Sequence, residues 1–206
     1  MARTRSISDD ALLDKALPVF WERGYAATSL RDLTQVTGLS SAALYHRFED
    51  KDGIFVEVLR RYADQGLSPL LARLRARDNP LTAIRGFFDA LLAMTNADPA
   101  HRGCLLVNTA LDGAPISERA RALVRERLNH VEAFFLMQLR RAQKSGQLDR
   151  ELDAAAYATV LLGTVLALRV LGRLDPDHTR LRRMVRQTLA PLVTRRQTTS
   201  RSRSAR

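Results

Sequence analysis

The sequence predicts an all-α protein, with an N-terminal three-helix helix-turn-helix head and a larger C-terminal helical domain. Three observations carry this expectation. Apolar residues recur at helical spacing through most of the 206 residues, and no stretch alternates convincingly at period two. Capping and stop residues fall where that spacing starts and ends. A short turn around Gly38 joins two short helices, which is helix-turn-helix geometry.

The elements follow in order. Ser8 caps a first helix, with Asp9 and Asp10 where the helix dipole favours acids. Leu12, Leu13, Ala16, Val19 and Phe20 form its apolar face, Pro18 should kink it, and Gly24 should end it. Thr28 or Ser29 caps a second helix, with Leu30, Leu33 and Val36 inward and Gly38 as its stop. Leu39 is the apolar turn residue, and Ser40 caps a third helix that runs to about Phe48. A fourth starts near Lys51 and carries Ile54, Phe55, Val58 and Leu59 at core spacing. Beyond Gly66, helices are expected over about 69–77, 80–96, 103–112, 116–145, 153–173 and 176–193. Pro80 is tolerated because it opens its helix. The expected division is 1–48 as the helix-turn-helix head, 49–193 as the larger helical domain, and 194–206 as a basic, disordered tail.

Composition narrows the function. A hydrophobic fraction of 46% suits a globular protein, and no uncharged run reaches the ~18–20 residues of a membrane span. The start lacks a secretory signal, and the single Cys104 excludes an internal disulfide. A cytoplasmic protein with no membrane partner is expected. Four histidines without metal-ligand spacing and no nucleophile motif argue against an enzyme, a metal site or a cofactor. The net charge of +11 is compatible with nucleic acid, but residues 1–48 are nearly neutral, and much of the excess lies in the last forty residues.

The third helix carries the chemistry. After the Ser40 cap it begins small, with Ser41, Ala42 and Ala43, and ends large and polar, with Tyr45, His46 and Arg47. Small residues let a backbone enter a major groove ~12 Å wide, and alanine can touch a thymine methyl. Tyr45 can then reach a phosphate or a base edge, His46 and Arg47 can bond phosphates, and Lys51 suits phosphate neutralisation.

The stretch "GYAATSLRDLTQVTGLSSAALYHRFEDKDGIF" resembles the DNA-binding domain of TetR-family transcriptional repressors. The matching positions are Gly24-Tyr25, Thr28-Ser29-Leu30, Gly38-Leu39-Ser40, Leu44-Tyr45, Phe48 and Lys51. The resemblance implies a homodimeric, ligand-responsive repressor on a near-palindromic double-stranded DNA operator. It places Arg31 at a base or phosphate, and Thr28 and Ser29 beside the DNA backbone. Arg47 departs from the histidine the family often has there. Arg31 has a rival reading, a surface pair with Asp32 or Glu49.

In the second domain, Phe87, Phe88, Leu91, Met94, Leu106, Cys104, Asn108, Leu111, Phe134, Phe135 and Met137 are candidates to line an effector cavity. A Met/Phe cluster at this spacing is more often core, and Asn108 equally suits capping a neighbouring turn. Cys104, at a helix start after His101 and Arg102, has an alternative role as a redox or electrophile sensor. The nearly uncharged run at 154–168 and the striped last helix suggest a four-helix dimer interface. Its expected residues are Leu162, Gly163, Leu166, Ala167, Val170, Leu181, Met184, Val185, Thr188 and Leu189. A constitutive basic DNA binder without an effector is the remaining alternative.

Overall fold

The computed structural model describes residues 7–112 and 116–193, so the predicted disordered tail lies outside the described residues. No strand occurs among them. Ten α-helices are described: α1 (Asp9–Ala27), α2 (Leu30–Thr37), α3 (Ser41–Phe48), α4 (Lys51–Tyr62), α5 (Ser68–Arg75), α6 (Pro80–Ala97), α7 (Leu105–Leu111), α8 (Glu118–Lys144), α9 (Ala154–Leu174) and α10 (His178–Leu189).

Ser8 caps α1 as expected, accepting from the Ala11 N–H at 3.2 Å. Pro18 lies within α1, but the non-helical backbone falls at Gly24, with φ 76° and ψ 175°. That conformation is open to glycine and strained for other residues. The chain then resumes one further turn before α2. A π-turn over Ala63–Leu67 joins α4 to α5, which the sequence reading missed. It includes Gln65, whose carbonyl the ring of Pro69 would meet in an unbroken α-helix.

The chain packs as two compact units, Met1–Pro69 with Arg102–Asn129 and Leu70–His101 with His130–Arg206. The first unit thus runs past the expected boundary at residue 48 and takes in α4. Phe20 of α1 packs on Phe55 of α4 with ring centroids 4.9 Å apart. Leu105 and Leu106 of α7, with Leu123 and Val124 of α8, belong to the same buried cluster. One core thus continues from the head through α4 and α7, and nothing in the packing separates them at Phe48. An ion-pair network adds to it: Arg61 donates to both oxygens of Asp14 at 2.6 Å and pairs with Asp10 at 2.7 Å. The hydrogen bonds from Arg61 hold the Asp14 carboxyl below the usual carboxylate range, against the opposing effect of burial.

In the second unit, α10 packs on α9 and α6. Four rings, Phe87, Phe88, Phe134 and Phe135, meet in its core, with Phe88 and Phe135 stacked at 5.6 Å. Helix α9 has 21 residues and is long and apolar enough to cross a membrane, beyond the span the uncharged run suggested. Its Leu161, Thr164, Val165 and Leu168 are buried within the protein.

Candidate nucleic-acid interface

Ser29 builds the start of α2. Its hydroxyl accepts from the Asp32 N–H at 3.2 Å, while Asp32 accepts the Ser29 N–H at 2.8 Å. These two bonds form a capping box. The hydrogen bonds from the Ser29 hydroxyl and N–H, with Arg23 at 2.6 Å, lower the Asp32 pKa to about 2. Thr37 and Gly38 make the turn. The buried Thr37 hydroxyl donates to the Leu33 carbonyl at 2.6 Å, and Gly38 takes a left-handed φ of 73°. Ser40 then caps α3, accepting from the Ala43 N–H at 3.2 Å.

Helix α3 buries Leu44 and Phe48 and turns Ser41, Ala42, Tyr45 and His46 to solvent. Tyr45 is 42% exposed. Arg31 on α2 is also exposed, and its guanidinium makes no ion pair or hydrogen bond among the described residues. Its rival pairing with Asp32 or Glu49 is absent from the structure, since Asp32 binds Arg23 and Glu49 binds Arg119 at 3.4 Å. The small-then-large helix predicted from the sequence is therefore presented outward with uncommitted polar groups.

Three predicted contact residues carry bonds within the chain. Thr28 is 1% exposed, and its hydroxyl turns inward to the Gly24 carbonyl at 2.7 Å. Arg47 folds back to the start of α1, donating to the Ile7 carbonyl at 2.8 Å and to Asp9 at 3.1 Å. Lys51 is not a free point charge. Its ammonium donates to the Tyr25 and Thr28 carbonyls at 3.0 Å each and stands 4.3 Å from the Tyr25 ring centre. It ties the end of α1 to the start of α2, leaving one donor for a phosphate. Burial, then Asp52 and Asp50, raises the Tyr25 pKa, so the phenol stays neutral under that cation.

Lys51→Met should therefore lower unfolding stability by about 2 kcal/mol, the scale of charge-assisted bonds lost from partly buried carbonyls. Urea unfolding followed by Trp21 fluorescence measures it. Unchanged stability with weaker DNA binding would return Lys51 to a purely phosphate-binding role.

The turn from α3 into α4 was not anticipated. Glu49 has φ 70° and ψ −55°, and the Asp50 N–H donates to the Phe48 carbonyl at 2.8 Å. This is a γ-turn of the rare positive-φ kind. A Cβ on Gly53 would lie 1.9 Å from the Phe48 carbonyl oxygen, so only glycine lets α4 begin directly against the end of α3. A glycine in the first turn of a predicted helix was the available signal.

The predicted effector residues take several different positions. Phe87, Phe88, Leu91 and Phe134 are each at most 3% exposed and serve as core, as does Phe135. Met94, Leu111 and Met137 are exposed at 41%, 65% and 37%. Asn108 donates to the Arg102 carbonyl at 2.7 Å, a turn-capping role. Cys104 is half-buried at the N-cap of α7, against the first unit's core, while the Arg102 guanidinium lies 4.3 Å from the Trp21 ring centre.

Leu181, Val185 and Leu189 are 1%, 6% and 7% exposed, buried within their own unit. Leu162, Leu166, Ala167, Val170, Met184 and Thr188 are half-buried, and Gly163 is exposed. Val160, not predicted, is 53% exposed beside them. Only 33% of the most apolar stretch of α9 is buried.

A short capped helix, a glycine turn and an outward second helix define a helix-turn-helix DNA-binding protein. Residues 12–58 match the family described as bacterial regulatory proteins, tetR family, and residues 80–188 match the tetracyclin repressor-like C-terminal domain. The chain belongs to the TetR family of transcriptional regulators. It is similar to the transcriptional repressor ComR of Escherichia coli (strain K12), 28% identical over 188 residues covering 91% of this chain and 90% of ComR. The regulator YezE of Bacillus subtilis (strain 168) is 27% identical, covering 93% of this chain and all of YezE. Among solved structures, a cysteine mutant of the regulator CifR bound to 26-bp operator DNA has a TM-score of 0.82 and 29% identity, covering 91% of this chain and 98% of CifR.

Proposed function

We propose that this protein is a homodimeric, ligand-responsive transcriptional repressor acting in the cytoplasm on a near-palindromic operator. The observation that carries the reading is the cluster of exposed, uncommitted side chains on α2 and α3: Arg31, Ser41, Ala42, Tyr45 and His46. Helix α3 enters the major groove, with Ser41 and Ala42 close to base edges and Tyr45 and His46 reaching base edges or phosphates. Arg31 contacts a base or phosphate from α2, and Ser29, Ser40 and Lys51 lie at the DNA backbone. The names of ComR and of the operator-bound CifR support repression through an operator.

Dimerisation uses the outer face of α9, with Val160, Gly163 and Ala167, and the Met184–Thr188 side of α10. A small-molecule effector of the C-terminal domain shifts the population toward a head spacing that fits DNA badly. Helix α4 is the lever, since it packs on α1, α3 and α7.

The test is the pair Arg31→Ala and Tyr45→Ala, assayed on a sequence selected by the wild-type protein. A residue that makes a good base contact should lose about 1–3 kcal/mol of specific binding, with little change on random DNA. Wild-type affinity in both folded variants would refute this docking.

A further inference from the structure

Residues 178–206 contain nine arginines and no lysine, aspartate or glutamate, so this segment carries nine of the eleven net positive charges. Its described helix, α10, buries Leu181, Val185 and Leu189. At about 100° per residue, Arg182, Arg183 and Arg186 share one arc of the helix, nearly opposite Met184 and Thr188. Thr188 faces α9, where its hydroxyl lies 3.3 Å from that of Thr164. All three arginines are exposed, and none makes an ion pair among the described residues. Arg180, outside this arc, reaches Asp175 only at 3.9 Å.

We propose that this face of α10 binds the phosphate backbone of duplex DNA, as a second contact surface that holds DNA without reading its sequence. Arg182 and Arg186 are four residues apart and Arg183 and Arg186 three, spacings at which like charges destabilise a helix. No acid on α10 offsets that repulsion, whereas a polyanion does. Duplex DNA presents one negative charge per about 1.7 Å of axis, and planar guanidinium groups bind phosphate oxygens in pairs. The arc also lies away from the side of α10 proposed for dimerisation, so pairing leaves it open. The inference is independent of the effector and the operator.

The experiment uses the full chain with Arg182→Gln, Arg183→Gln and Arg186→Gln combined, since glutamine keeps helix propensity. Binding to a random-sequence duplex is followed against salt, with single-stranded RNA and polyglutamate as comparison ligands. The slope of log K against log salt on the duplex should fall by about 2–3, at roughly 0.9 per phosphate. The control pair Arg121→Gln and Arg125→Gln, both bound to Glu118, should leave the slope unchanged. An unchanged duplex slope in the triple variant overturns the proposal. So does a loss confined to RNA or to polyglutamate, which would assign the face to RNA or to an acidic protein. Should the triple variant fail to fold, a photo-crosslinking residue at exposed Thr179 of the otherwise unaltered chain replaces it. A crosslink to the duplex supports the assignment, and none at low salt rejects it.

Discussion

Gly53→Ala should abolish DNA binding by breaking the corner that sets α3 on α4. The new Cβ would stand 1.9 Å from the Phe48 carbonyl oxygen, and that neighbour is backbone, so no rotamer change relieves the clash. The γ-turn at Glu49 leaves no slack, because the Asp50 N–H is bonded to the same carbonyl at 2.8 Å. Either α4 shifts along its axis or the turn opens, and both detach Phe48 and Leu44 from the buried cluster. The expected cost is about 3 kcal/mol or more, above ordinary overpacking because main chain must move. Gly66→Ala is the matched control, since its Cβ would meet nothing within 4 Å. There, better helix propensity should leave stability equal or slightly higher. Chemical denaturation of both variants measures the contrast, and equal stability would mean the corner is not built as described.

A charge on the outer face of α9 should separate the dimer and leave the protomer folded. Val160 is 53% exposed, so Val160→Glu places its carboxylate in water within the protomer but in an apolar contact within the proposed dimer. Gly163→Arg acts the same way, as a Cβ there meets nothing within 4 Å of its own chain. Both variants should sediment as monomers with near wild-type thermal stability. Each would lose at least about 100-fold in operator affinity, because two linked heads bind with a gain of roughly 10²–10⁴ over one. Leu189→Glu should behave differently. At 7% exposure Leu189 is core, and the charge would unfold its unit before testing any interface. Persistence of a stable Val160→Glu dimer would move the interface off α9.

Much of this structure was legible in the sequence because local signals agreed with one another. Ser8, Ser29 and Ser40 each cap a helix as read, and the apolar period marked which faces turn inward. What sequence reasoning missed depends on contacts between distant residues. Lys51 looked like a phosphate ligand because nothing local shows that two carbonyls more than twenty residues upstream would claim it. Arg47 was read as a phosphate-bonding residue, yet Asp9 lies 38 positions away in sequence and 3.1 Å away in space. The stripe on α10 was visible, but periodicity cannot say whether Leu181 and Leu189 meet their own chain or another. The Phe87–Phe135 cluster posed the same ambiguity between core and cavity. The exposed end of α3 was legible for a simple reason: small residues followed by Tyr45 and His46 make a poor core face.

The central claim is that two copies of α3 read one symmetric site, and selection from a random duplex pool with the full-length protein tests it most directly. The selected sequences should converge on a near-palindrome whose half-sites are centred one helical turn apart, about 34–36 Å, or a multiple of that. Protection of both half-sites in a footprint should disappear together in the Val160→Glu monomer. A pool that fails to converge, or one that yields a single unrepeated half-site bound equally well by that monomer, would contradict the account.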